Sequence, residues 1–269
     1  MSHKRINQHI AAVKYFTHIQ GHDLDINSCQ RLYRLMRGIK RAQGSRFKKT
    51  PRIPITPPLL SILGRNLWNS STKFPDKSML WAAMLTAFCG FLQVSEYTSP
   101  RVGSYDPNTT LCYRDVKILS PTTIQIHIKA SKTDPFRLGV HIQLHSNNSS
   151  LCPIKALRHF LHFHPTKQGP LFIWNDGRYL TRSSLAAVLA KVKPENIENM
   201  SSHSFRIGAA TTAAAAGHPR WLIQALGRWS SNCYRDYIRI PTHTLTDVSV
   251  SLSKLHIPST TPFDPDNRG

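Results

Sequence analysis

The chain has 269 residues, 40% of them hydrophobic, and carries 35 Lys and Arg against 14 Asp and Glu, a formal net charge of +21. Such a length suits one large domain or two small ones with an ordinary core, while an excess charge of this size repels itself and calls for a polyanionic partner, nucleic acid before an anionic membrane surface. The opening Met1-Ser-His-Lys-Arg lacks the apolar stretch of a secretion signal, and the longest apolar run, Met79–Leu92, is too short to span a bilayer, so neither a secreted nor a membrane protein is expected.

Residues 3–20 and 27–42 have the spacing of two amphipathic helices. The first carries Ile6, Ile10, Val13 and Phe16 at helical intervals. The second, opening from an Asn27 cap, sets Leu32, Leu35, Met36 and Ile39 on one face and fans Arg31, Arg34, Arg37 and Arg41 across the other. Through residue 52 there are twelve Lys and Arg but only two acids, Asp23 and Asp25. A solvated helix face usually mixes signs; a uniformly basic one suits the backbone of double-stranded DNA, where each Lys or Arg contact releases counterions. Arg31, Arg34, Arg41, Lys48, Lys49 and Arg52 are the candidate DNA contacts. The stretch "GSRFKKTPRIPITPP" from Gly44 to Pro58 reads as a basic linker. The expected organisation is a helical unit over 1–44, a linker over 45–54, a main domain over 55–252 and a polar, proline-rich tail over 253–269.

Pro57-Pro58 introduces a helix through about Trp68, followed by an apolar helix near 77–92. Between 110 and 145 the pattern changes to strands: "LCYRDVKIL", "TTIQIHIKA" and "RLGVHIQL" alternate in part, with Lys132 at the tip of the turn between the last two. Helices resume at 153–163, 181–191, 204–216, 219–226 and 232–239, and the Ala, Thr and Gly of 208–217 permit close backbone packing. The fold class is α+β, mostly α-helical, with a small three-stranded antiparallel sheet. The cysteines, Cys29, Cys89, Cys112, Cys152 and Cys233, are odd in number and scattered without zinc spacing, as reduced core residues of an intracellular protein would be.

There is no glycine-rich phosphate loop, no His-Glu-x-x-His and no acidic cluster for magnesium, and so few acids argue against a two-metal nuclease. DNA cleavage by this chain would have to use cations and a side-chain nucleophile, with no metal and no cofactor. His203 and Arg206, three apart at a helix start, share a face: a guanidinium can fork onto phosphate oxygens and an imidazole can move a proton near neutral pH. Alone, such a pair is more often a surface pair.

The blocks "HSFRIGAAT", "IQALGRWSS" and a following "YIR" occur in the order and near the spacing of the tyrosine recombinases, or phage integrase family, which this chain resembles over 45–250 and more weakly over 1–44. Most members carry Gly-His where Gly227-Arg228-Trp229 stands, and the Trp form resembles eukaryotic transposon-encoded members of the Crypton and Ngaro kind. The resemblance implies an integrase-like catalytic domain preceded by a short, truncated helical core-binding domain. It implies Tyr237 as nucleophile forming a 3′-phosphotyrosine, with Tyr234 a packing residue. Lys132 would donate a proton to the leaving 5′ oxygen and Arg206 would stabilise phosphate charge. His203 would act as acid/base, and Trp229 would pack on or hydrogen-bond to the phosphate. It also implies a homo-tetramer on DNA, and a nuclear location in a eukaryote or a cytoplasmic one otherwise. The block "GFLQVSEYT" departs from the pattern: Gln93 stands where the family's first arginine belongs, while Ser95 and Glu96 match. Arg101 is the nearest alternative cation in sequence. The sequence therefore allows an active strand transferase or a catalytically inactive DNA-binding remnant of a mobile element, and less readily a basic RNA-binding helical protein, for which aromatic-rich sheet motifs are missing.

Overall fold

Two helices, α1 (His3–Ile19) and α2 (Gln30–Gln43), form the first of two units into which the chain divides, Met1–Pro51 and Arg52–Gly269. The computed structural model describes residues 1–22, 24–25, 28–44, 50–131, 134 and 136–239. Ser2 caps α1 by accepting from the Arg5 amide, and Gln43 ties the two helices by accepting from the His3 amide (2.7 Å) and donating to the Met1 carbonyl (2.9 Å). Of the expected apolar faces, Met36 is buried and Ile6, Ile10, Leu32 and Ile39 are half-buried, but Leu35, Val13 and Phe16 are exposed. One mutual contact between two helices is too narrow to cover both apolar stripes. Arg31, Arg34, Arg37 and Arg41 are exposed, as a basic face requires. The Asn27 cap, Lys48 and Lys49 lie outside the described residues; the described start of α2 has Cys29 in the cap position with no side-chain bond.

The second unit is built around α4 (Phe74–Cys89), whose residues are apolar on every side and buried from Met79 to Leu85 except for Trp81. Such a helix can only sit in the middle of a core. Around it pack α3 (Pro57–Asn69), α6 (Pro153–His162) and α8 (His203–Ala215). Prolines open α3, α4 and α6 at positions whose amides have no helical partner in any case. After the short α5 (Val94–Tyr97) comes the antiparallel sheet β1-β2-β3: Val116–Ser120, Thr123–Ile128 and Val140–His145. In β2, Ile124, Ile126 and Ile128 face the core and alternate with half-buried Thr123, Gln125 and His127. Further helices are α7 (Arg182–Val192) and α9 (Arg220–Leu226). The mostly helical fold with one small antiparallel sheet is the fold class expected.

Three local expectations need correction. "LCYRDVKIL" is strand only from Val116: the Asp115 carboxylate accepts from the Cys112 amide (2.7 Å) and pairs with Lys129 (2.6 Å), winding Tyr113–Asp115 into a 3₁₀ turn. The last helix is a 3₁₀ turn, Asn232–Tyr237, rather than an α-helix over 232–239. The Thr211 hydroxyl stops it, donating to the Tyr237 carbonyl (3.1 Å) and accepting from the Arg239 amide (3.2 Å). All five cysteines are free, but only Cys112 and Cys152 are buried, and Cys29 and Cys233 are exposed. Lys132, between β2 and β3, and the tail from 253 lie outside the described residues. Among the described residues no helix is long and apolar enough to cross a membrane, and no His, Cys, Asp and Glu cluster could hold a metal ion.

Candidate functional site

Helix α8 divides its residues between two cores. Phe205 enters the main one, while Ala209 and Ala210 join a smaller cluster with Phe91, Ile223, Trp229 and Tyr234. Gly208 gives α8 its close approach to the segment before α3, because a methyl there would overlap the Ile55 carbonyl. Arg206 lies between the two cores and is only 2% exposed. Its guanidinium donates to the Phe91 carbonyl at 2.5 Å and to the Gly227 carbonyl, and its carbon lies 4.4 Å from the centre of the Trp229 ring. Burial lowers its pKa to about 10, with the Glu96 carboxylate acting in the opposite direction, so it stays charged at neutral pH.

Two left-handed residues serve this arrangement. Phe91 (φ 52°) and Arg228 (φ 55°) adopt a conformation that non-glycine residues avoid. The Phe91 carbonyl accepts from both Arg206 and Arg228 (3.3 Å to the latter), and Arg228 also pairs with Glu96 at 2.7 Å. Glu96 is buried and accepts from the Gln93 amide at 2.8 Å, which joins the Gln93 turn to the turn before Trp229. This arginine–glutamate pair was not singled out in the sequence. Arg228 stands inside a quoted block, yet no spacing rule connects it to Glu96.

The residues the resemblance assigns to catalysis come together in part. The Tyr237 ring is 5.1 Å from His203 and 4.9 Å from Trp229, centre to centre, and the Arg206 guanidinium carbon is 6.0 Å from it. Tyr237 is half-buried, whereas Tyr234 is 3% exposed and packs within the Trp229 cluster. His203 opens onto a cleft of about 660 Å³ whose walls include Arg52, Gln93, Ser99, Arg182 and Ser202. Gln93 and His203 thus share a cleft, and Arg206 and Tyr237 are not among the residues that line it. Arg101 is exposed and is not part of that lining. Arg182 is, although nothing in "LTRSSL" marks it beyond its place at a helix start.

His203 is held down to a pKa of about 4 by burial first, then by the guanidinium groups of Arg52, Arg206 and Arg182. Between that value and the ordinary 6.5 the unfolded chain binds a proton that the folded chain refuses. Stability therefore falls as pH drops from 6.5 toward 4 and is unaffected by this group above that window. A His203→Gln variant is expected to lose less of its urea midpoint than the wild type over that fall. Equal losses would mean that the imidazole does not sit in a buried, cationic setting.

No protein-family model and no curated protein matches the chain. Solved structures do. A Tn1549 transposon integrase in complex with transposon right end DNA superposes at TM-score 0.57 with 15% identity, over 94% of this chain and 80% of that one. The XerH site-specific recombinase, bound to a palindromic difH substrate in a post-cleavage complex, gives 0.53 at 14% identity, over 75% of this chain and 53% of its own. The XerA recombinase gives 0.52 at 12%, over 78% of this chain and 66% of its own. This chain thus spans between about half and two thirds of the XerH and XerA chains. At such identities the likeness is one of fold, shared with these integrase and recombinase structures.

Proposed function

We propose that this chain is a tyrosine recombinase that binds double-stranded DNA and cuts and rejoins a strand through a 3′-phosphotyrosine at Tyr237. The observation that carries the reading is the convergence of His203, Arg206 and Trp229 on the Tyr237 ring, within 4.9 to 6.0 Å. In this reading the Tyr237 oxygen attacks phosphorus as the bond to the 5′ oxygen breaks. His203, uncharged at neutral pH, takes the phenolic proton. Lys132 supplies a proton to the departing 5′ oxygen. Arg206 has N–H groups left beyond those given to the two carbonyls, and they meet the phosphate oxygens as charge builds. The face of Trp229 keeps the guanidinium plane in position. The phosphotyrosine retains the energy of the broken diester, so rejoining needs no cofactor.

The exposed arginines Arg31, Arg34 and Arg41, with Lys48, Lys49 and Arg52, would bind the duplex backbone, and the working form would be a tetramer on DNA. Trp229 in place of the usual histidine supports a place among the Crypton and Ngaro kind of element, and with it a nuclear site of action. One observation favours the second reading, an inactive DNA-binding remnant: the first-arginine position holds neutral Gln93, which cannot fork two charged donors onto a phosphate.

A pool of nicked duplexes of random sequence separates the two, because a nick beside the cut traps the covalent adduct for detection on a denaturing gel. Adduct with the wild type supports the enzyme. Adduct with Gln93→Arg alone supports the remnant. Salt-sensitive DNA binding with adduct in neither would end the strand-transfer reading.

A further inference from the structure

We propose that the cleft beside His203 is a phosphate-binding site in which Arg182, together with Arg52, supplies the positive charge that Gln93 does not. The backbone brings these side chains together from four separate segments. The Ile53 amide donates to the Asn199 carbonyl (3.4 Å) and the Ile55 amide to the Ser204 carbonyl (3.0 Å), which sets Arg52 beside the start of α8. The Ser99 amide donates to the Leu180 carbonyl (2.8 Å), and Ser99 bridges to Thr181, which sets Arg182 beside the segment that follows Gln93. Both arginines are exposed within the cleft, and neither forms an ion pair among the described residues.

The rest of the lining fits an anion. Among the described residues it includes no Asp or Glu, and Ser95 and Ser202 bring hydroxyl-bearing side chains to it. Ser99 is 3% exposed, and its buried hydroxyl has no hydrogen-bond partner among the described residues, which costs free energy in the unliganded fold. Arg182 and His203 are the first residues of α7 and α8, so the positive ends of two helices border the cleft. Gln93 remains as a neutral donor on the same wall. The His203 imidazole on the same lining is depressed first by burial and then by the guanidinium groups of Arg52, Arg206 and Arg182. Where a family arginine has been lost at one point of the wall, a guanidinium from another point delivers the same fork to the same ligand.

The nature of the ligand, a DNA phosphate, rests on the strand-transfer reading; the anion site itself does not. Inorganic phosphate, titrated into the full chain against chloride at constant ionic strength, tests the site through the arginine Nε resonances. Saturable shifts are expected for Arg52 and Arg182 in the wild type and equally in Tyr237→Phe. Arg182→Ala should weaken the binding seen at Arg52 by about tenfold or more, and Arg182→Lys should restore it only partly. Shifts absent from both residues, or no larger than those of exposed Arg31 and Arg34, would overturn the site whatever the adduct assay yields. Phosphate binding with no adduct in any variant would keep the site and remove strand transfer. If adducts do form, Arg182→Ala should slow them roughly a hundredfold; an unchanged rate would show that the site does not hold the scissile phosphate.

Discussion

Tyr237→Phe is expected to abolish covalent protein–DNA adducts, by roughly four orders of magnitude or more, because the oxygen that forms the bond to phosphorus is gone. The fold should hardly register the change. The contacts of this residue with His203 and Trp229 are ring contacts, and its main-chain carbonyl still accepts from Thr211. Duplex binding and the urea midpoint therefore serve as controls that should stay near wild type. Tyr234→Phe is the informative companion. Tyr234 is 3% exposed and packed into the cluster of Phe91 and Trp229, while Tyr237 is half-buried. Adducts that survive in Tyr237→Phe and vanish in Tyr234→Phe would transfer the nucleophile to Tyr234, and the 3₁₀ turn would then have to open before reaction.

Arg206→Ala is expected to cost about 3–5 kcal/mol of stability in urea unfolding, as removal of one member of a buried charged network does. The Gly227 carbonyl loses its charged donor, the Phe91 carbonyl loses one of its two, Glu96 loses one of its two nearby cations, and Trp229 loses the cation over its ring. The left-handed conformation at Phe91 makes the effect larger, since that turn delivers its carbonyl to Arg206 and Arg228 together. Arg206→Lys keeps the charge but loses the fork and the stacking plane. It should recover part of the stability, yet leave any adduct formation slower than wild type by roughly a hundredfold or more. An Arg206→Ala protein as stable as the wild type would mean that the guanidinium is not held by those carbonyls. Its position in the site would then have to be redrawn.

These expectations depend on the sequence and the tertiary structure in different ways. α3 was legible from Pro57-Pro58 and α4 from its apolar run, although α4 starts and ends three residues earlier than that run suggested, and β2 because Ile124, Ile126 and Ile128 alternate. The resemblance of three short blocks grouped His203, Arg206, Trp229 and Tyr237, whose side chains lie within a few ångströms of one another. The ends of elements were less legible where a side chain from elsewhere intervened, as Lys129 does at Asp115 and Thr211 does after Tyr237.

The sequence by itself determined the excess of basic residues, the helical periods, the alternating strands and a neutral glutamine at position 93, since each is a property of neighbouring residues or of composition. Only the tertiary structure decided that Arg206 is anchored on the carbonyls of Phe91 and Gly227, that Arg228 neutralises Glu96, and that Arg182 faces the cleft Gln93 lines. Charges and hydrogen bonds act through space, and the backbone links that bring Arg52, Gln93, Arg182 and His203 to one cleft leave no periodic trace along the chain.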